Sequence, residues 1–483
     1  MDEINVLEKQ MYENLKKLQE MGVEVYKYGY DFTHTLKDLI EHSEDYLEKD
    51  VVVKVAGRII SERKHGKVVF WDIKDQLEKI QLYIKKDIVG EEKYDQIKYY
   101  DIGDIVGVSG KLFKTHTGEL TILVESVDIL AKALKPLPEK FHGLKDVEIR
   151  YRKRYLDLIT SDESKRVFLK RTELINRIRD FLNSNGFVEV ETPILQPIYG
   201  GAFAQPFITH HNTHDMTLYL RIANELYLKR LIVGGMNRVY EFAKDFRNEG
   251  IDRTHNPEFT QVEFYQSYAD YYDMMELVEN MFLTLVPEKR ITYQGREIIF
   301  EKPFKRIDFY DSLNEAVGRN VKGLNVEELK SIAEKFNVDL EGKKTYGKIL
   351  DELFSEIIQK KIVQPSFVVN HPIEISPLAR KHREKDGVVE RFELVVCGME
   401  IGNSFSELND PLDQKERFLK QLEERKKGDI EAFAMDEDYV EALMYGMPPT
   451  GGVGIGIDRT VMLLTDQSSI RDVILFPLLK TEK

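Results

Sequence analysis

Cysteine is almost missing from this chain of 483 residues, and a single one, Cys397, excludes any intrachain disulfide. A multi-cysteine zinc site is excluded with it, and such usage fits a reducing compartment. Long apolar runs are missing too: nothing approaches the roughly 20 residues that span a bilayer. The opening Met1-Asp2-Glu3 has neither the basic nor the apolar region of a secretory leader. The expectation is a cytoplasmic protein with no membrane partner. Positive charge is in deficit, with a formal net charge of −14. That balance argues superficially against a nucleic-acid partner, since phosphate contacts need Lys and Arg. A local basic surface is enough, however, and Arg150-Tyr151-Arg152-Lys153-Arg154 is either such a patch or a solvated charged face. Two nucleotide signatures fail as well. The Gly-rich segment around Gly454 lacks G-x-G-x-x-G spacing. Gly342-Lys343-Lys344-Thr345-Tyr346-Gly347-Lys348 has P-loop spacing, but Ile349 stands where a Ser or Thr must reach magnesium. No Ser/His/Asp or Cys/His nucleophile set is apparent.

What is present is the composition of a globular protein, 42% hydrophobic and 32% charged, long enough for two to four domains. Residues 1–50 read as an N-terminal helical extension, with Ile4, Leu7, Met11, Leu15 and Leu18 at helical spacing. From 51 to 135 the period changes to two. Five strands are predicted, at 51–60, 67–73, 79–85, 104–113 and 119–125, the last two joined by a polar loop ending in Gly118. Five short strands in that length suggest a small all-β barrel of the OB type. Val69, Trp71, Ile73 and Ile80, Leu82, Ile84 alternate with Phe70, Gln81 and Tyr83, which places the latter on the outer face. Aromatic and amide groups there suit stacking on unpaired bases. Residues 136–150, with Pro136 and Pro138, read as a linker to a domain over 151–483 that carries an insertion at about 270–365.

Chemistry concentrates at Phe246-Arg247-Asn248-Glu249-Gly250, running through Thr254-His255-Asn256-Pro257-Glu258-Phe259 to Glu263 and Tyr265. Period two puts Asp245 and Arg247 on one strand face, and Phe259, Gln261, Glu263 and Tyr265 on one face of the next. A guanidinium at Arg247 can bridge a carboxylate and a phosphate, relieving the repulsion of two anions that must react. Phe259 offers a platform for a purine, Glu249 an acceptor for its amino group, and His255 reach to outer phosphates. Near the C-terminus, Gly451, Gly452, Gly454 and Gly456 keep a strand free of side chains so that a flat ring can lie on its backbone. Asp458 is placed to cap the helix that follows and Arg459 to point at a triphosphate.

These stretches resemble motifs 2 and 3 of the class II aminoacyl-tRNA synthetases, most closely the lysyl branch. The helix at 163–185, Asn185-Gly186 and the strand 188–193 resemble motif 1. Phe141-His142-Gly143-Leu144 and Asn403-Ser404-Phe405-Ser406-Glu407 also match. The resemblance implies an α+β catalytic domain built on an antiparallel sheet behind the OB-fold barrel. It implies ATP-dependent activation of L-lysine and transfer to tRNA(Lys), by a homodimer, with Mg2+ as cofactor and no DNA partner. Carried over residue by residue, catalysis falls to Arg247 and Arg459. The lysine site is Gly201, Glu225, Arg247, Glu263, Tyr265, Asn403, Phe405 and Glu407. ATP is assigned Arg247, Glu249, His255, Asn256, Phe259, Glu393, Glu400 and Arg459, with Glu393 and Glu400 as metal ligands. The anticodon is assigned Arg63, Phe70 and Gln81. An acidic pair, Glu263 and Glu407, would hold the ε-ammonium, and sites of that kind reject neutral analogues by roughly 10⁴–10⁵-fold. Gln205, Asn224 and Phe242-Ala243-Lys244 depart from the family pattern.

Overall fold

The computed structural model describes residues 6–138, 146–343, 345–426, 431 and 433–480. Ile4, Lys344 and the stretch 139–145 of the expected linker lie outside the described residues. The chain forms two compact units, Met1–Lys165 and Arg166–Lys483.

In the first unit, alternation of apolar and polar residues yields five strands: β1 (Val52–His65), β2 (Val68–Asp75), β3 (Glu78–Lys85), β4 (Ile105–Lys114) and β5 (Leu120–Ala131). They close into a barrel in the order β1-β2-β3-β5-β4. Val69, Trp71, Ile73, Ile80, Leu82 and Ile84 fill its interior as their parity requires. Helix Val6–Glu20 adds Leu18 to that core and donates from Asn14 to Asp101, which also pairs with the buried Lys132. The three arginines of the basic run at 150–154 are engaged by the protein's own carboxylates. Arg150 and Arg154 pair with Asp157 at 3.0 and 2.7 Å, and Arg152 with Glu148 at 2.5 Å. The helix Val147–Arg152, capped by Asp146, begins inside the expected linker.

The second unit is built on one sheet of eight strands. Its members are β6 (Val188–Glu189), β10 (Arg238–Phe246), β11 (Glu258–Ser267), β14 (Lys305–Asp308), β15 (Ser366–Val369), β16 (Arg391–Val396), β17 (Met399–Ser406) and β18 (Thr450–Gly456). The order is β14-β15-β16-β17-β18-β11-β10-β6, antiparallel except at the β14–β15 and β10–β6 edges. A small sheet of β7 (Leu195–Gln196), β9 (Met216–Leu220) and β8 (Ile208–His211), and a hairpin of β12 (Arg290–Tyr293) and β13 (Arg296–Ile299), complete the strands. Helices Asp162–Ser184, Tyr271–Leu285 and Ile457–Leu464 put Leu174, Met274, Phe282 and Val461 against one face of the large sheet. The segment 270–365 is not one appendage. Tyr271–Leu285 belongs to that main core, β14 extends the sheet, and helices at 309–317, 326–336 and 346–357 pack a further core around Phe309, Leu350 and Phe354. The P-loop look-alike is the start of the last of these helices: Thr345 caps it and Ile349 is fully buried.

Candidate functional site

The face of the large sheet opposite those helices carries the polar residues, and cross-strand register explains how distant segments meet. Gln261, Glu263 and Tyr265 on β11 stand opposite Gly456, Gly454 and Gly452 on β18. Gly454 and Gly452 face Asn403 and Phe405 on β17, and these face Glu393 and Arg391 on β16. Three-residue spacing would put Glu400 and Asn403 on opposite faces. A one-residue bulge intervenes, since Glu393 pairs with Asn403 but Val395 with Glu400, and it returns Glu400 to the polar side.

This face floors a cleft of about 370 Å³. Gly201, Glu225, Arg247, Glu263, Tyr265, Asn403, Phe405 and Glu407 all line it, as do His255, Asn256, Phe259, Glu400 and Arg459. Two expected members do not. Glu249 is solvent-exposed beyond the Arg247 turn, and Glu393 sits beside the cleft, 2.6 Å from Arg391 Nη2 and 3.6 Å from His371 Nε2.

One end of the cleft is closed and acidic. Glu263 is buried; Gln261 donates to its Oε1 at 2.6 Å and the Tyr265 hydroxyl to its Oε2 at 3.0 Å. The same Gln261 amide donates to Asp245 at 2.5 Å, and Arg221 spans Asp245 and Glu241 at 3.1 and 2.6 Å. Asn224, a departure from the family pattern, is buried and donates to Glu241 at 3.0 Å. Burial, reinforced by the charges of Glu225 and Asp245, holds Glu263 well above the usual carboxylate range. Burial pushes Asp245 up to about 6 against the pull of Arg221 and Arg247. Glu225 opens the helix Glu225–Val233, and Lys229, one turn on, reaches back to its Oε1 at 2.5 Å. Lys229 also contacts Glu407 and is itself fully buried. Glu407 is thus not the unpaired carboxylate the sequence led us to expect; a protein cation already faces it. An Ala at Gly452 would put its Cβ 2.1 Å from Glu407 Oε1 and 2.4 Å from the Tyr265 ring. Gly201, at φ +90°, likewise lets the chain turn beside Glu225.

The other end is cationic and more open. The Arg247 guanidinium lies 4.9 Å from the Phe259 ring centre, and a long 3.4 Å bond joins its Nε to the Ile222 carbonyl. Arg459 donates to the Glu400 carbonyl at 2.8 Å and lies 2.9 Å from His255 Nε2, while His255 Nδ1 meets Asp252 at 2.8 Å. Asn256 is buried with Oδ1 unpartnered. Asp458 does not cap its helix. Its carboxylate accepts from the Thr260 backbone N–H at 2.7 Å and from Arg171 at 2.6 Å, joining three segments beneath the cleft. The four glycines of β18 also divide their work: Gly451 packs on Met274, Gly452 makes room for Tyr265 and Glu407, and only Gly454 and Gly456 leave open backbone.

Among the described residues no group of three or more His, Cys, Asp or Glu could cage a metal. Glu393 and Glu400 provide hard oxygen donors. Glu400 is raised by its low-dielectric setting and by the Glu393 charge, whereas Arg391 and His371 outweigh burial and hold Glu393 at about 2. Two mutually repelling carboxylates fit a cation that takes its remaining ligands from phosphate.

Lys229 and Arg391 were missed from sequence, and Gln261, placed on the right strand face, was given no role. The Glu225–Lys229 spacing of four on one helix, and the alternation of Arg391 with Glu393, carried the signal.

In the first unit, Arg63 stands opposite Phe70, and Phe70 opposite Tyr83. Phe70 and Tyr83 ring centres are 4.9 Å apart, and Phe113 lies 5.8 Å beyond, making an aromatic platform on the barrel's outer face. Gln81 shares that face but is 7% exposed, its Oε1 accepting from Thr121 at 3.0 Å. Phe113 follows from the same alternation in β4.

Residues 146–480 match the family described as tRNA synthetases class II (D, K and N), and residues 53–130 the OB-fold nucleic acid binding domain. A protein of Carboxydothermus hydrogenoformans named lysine–tRNA ligase is 51% identical, covering 99% of both chains. Proteins of the same name from Clostridium novyi and Aquifex aeolicus are each 52% identical. They cover 100% and 96% of this chain, and 96% and 77% of their own length.

Proposed function

Because the chain belongs to the class II tRNA synthetases (D, K and N), we propose that it is a lysine–tRNA ligase. It joins L-lysine to ATP as lysyl-adenylate and passes the lysyl group to the 3′ end of tRNA(Lys). The observation that carries the substrate choice is the closed acidic end of the cleft. Glu263 is buried, deprived of a protein cation among the described residues, and supplied only with neutral donors from Gln261 and Tyr265. A buried carboxylate in that state is stabilised by an ammonium brought by substrate. Glu225 and Gly201 stand where an α-amino group would meet them, and Arg247 where the carboxylate would.

ATP takes the open end. Stacking of adenine on Phe259 requires Arg247 to leave the ring for the carboxylate and α-phosphate, which its long bond to Ile222 permits. Arg459 and His255 face the outer phosphates, and Asn256 Oδ1 offers a buried acceptor. Glu393 and Glu400 would hold Mg2+, which, when bound, neutralises phosphate charge and stabilises the leaving pyrophosphate. The lysine carboxylate oxygen attacks the α-phosphorus, the bond to the bridging oxygen breaks, and pyrophosphate leaves. A terminal ribose hydroxyl of tRNA then attacks the carbonyl and AMP departs. Positioning and charge stabilisation do most of this work; no protein nucleophile is needed.

Phe70, Tyr83, Phe113 and Arg63 support anticodon recognition by stacking and phosphate or base-edge contact. Exposed apolar side chains between 188 and 216, Val188, Ile194, Leu195, Ile198, Ile208 and Met216 among them, support burial against a second copy of the chain. No helix among the described residues is long and apolar enough to cross a membrane; a cytoplasmic setting is our reading. Lysine-dependent ATP–pyrophosphate exchange, followed by charging of tRNA with a UUU anticodon, tests the whole assignment. Exchange with another amino acid in preference to lysine would overturn it.

A further inference from the structure

Lys229 is a lysine inside a lysine pocket. Its ammonium is fully buried between Glu225 Oε1, at 2.5 Å, and Glu407, and 6.0 Å from the Phe405 ring centre. The helix Glu437–Met444 closes it from behind with the buried Tyr439. Burial alone would drive the proton off; the two carboxylates outweigh it and keep Lys229 charged.

Charge counting shows what this cation does. Glu225, Glu263 and Glu407 bring three carboxyl groups to the closed end, each with its charged form disfavoured by burial, and Lys229 neutralises one of them. The remainder is two, matching the α- and ε-ammonium groups of free lysine once Arg247 has met its carboxylate. Without Lys229 a third buried carboxylate would lack a partner and would take up a proton instead. We propose that Lys229 is a specificity-determining positioning residue: it ties Glu225 to Glu407 and sets the pocket to accept two ammonium groups rather than one or three. It touches the binding carboxylates, not the reacting atoms, so its effect falls on amino-acid affinity and not on nucleotide affinity. The proposal rests on the lysine reading above.

The test is lysine-dependent ATP–pyrophosphate exchange by the full chain, wild type against Lys229→Met, Lys229→Gln and Lys229→Arg, with folding checked by thermal melting. The expected result for Lys229→Met is a lysine KM raised at least 30-fold with the KM for ATP within twofold. The pH at which lysine KM levels off should also move upward by a unit or more, because one more carboxyl must be ionised. Lys229→Arg, which keeps the charge, should recover most of the lost affinity. A folded Lys229→Met enzyme with wild-type lysine KM and pH profile overturns the inference while leaving the lysine reading intact. If that variant does not fold, the same measurements on Lys229→Gln decide. Failure of the wild type to exchange with lysine overturns the reading itself.

Discussion

Glu263 makes the sharpest demand of any single residue. Its two oxygens are occupied by neutral donors and its charge is left for a ligand. Glu263→Gln should weaken lysine use by about 2–3 kcal/mol, roughly 30- to 150-fold in KM, with ATP affinity nearly unchanged. Michaelis constants for both substrates in the exchange assay check this; a matched loss for ATP would point to a broken fold instead. The raised pKa gives the pH dependence its sign. A carboxyl held above its normal range is protonated over more of the acidic side, and in that form it cannot receive an ammonium. Lysine KM should therefore fall as pH rises above the usual carboxylate range, with binding accompanied by proton release, and Glu263→Gln should flatten the profile. In the empty protein the same shift means stability that is present while Glu263 is protonated and lost as pH rises through its folded-state pKa. Much of this site was legible in sequence, because period two alone aligned Gln261, Glu263 and Tyr265. The pairing of Glu407 with Lys229 was not. They are 178 residues apart in the numbering, and only the folded sheet brings helix and strand together.

Elements impose conditions that no residue type reveals by itself. A run of glycines in β18 reads uniformly in sequence, yet the neighbours differ at each position, since Met274, Tyr265, Glu263 and Arg459 approach in turn. Gly452→Ala should be the most damaging replacement in that strand for catalysis. Its Cβ meets both Glu407 and Tyr265, and overpacking of this kind costs about 1–3 kcal/mol. We expect a lower melting temperature together with loss of lysine-dependent exchange; Gly454→Ala, with its nearest contact at 3.5 Å, should melt much closer to wild type. Strand existence was readable wherever one face is buried, as in β1 to β5. The place of β14 in the large sheet was not, because its parallel pairing with β15 spans some sixty intervening residues that show no periodic trace of it.

For the whole molecule the proposed tasks separate between the two units. Phe70→Ala, or Tyr83→Ala, removes part of the barrel's aromatic platform, and stacking on such rings is worth about 1–3 kcal/mol per base. Charging of tRNA should fall by roughly 10- to 100-fold while tRNA-independent exchange stays near wild type. Equal losses in both assays would remove the anticodon role. Sedimentation should give twice the chain mass, and a charged substitution at the exposed Ile208 should lower it towards one; an unchanged monomer mass in both proteins would discard the homodimer. The five-stranded barrel was readable from the change of period near residue 51. That the three arginines of the run at 150–154 pair with Glu148 and Asp157 became visible only when the helices around them were in place.

The bulge in β17 has a consequence for how this chain can change over generations. Point replacements there alter one side chain each, but straightening the strand with all its residues kept would turn Glu400 to the opposite side of the sheet from Asn403, whereas deleting one residue together with the bulge would leave both on the polar side. Length and irregularity are therefore tied along this stretch: descendants can keep both or lose both, but not one alone.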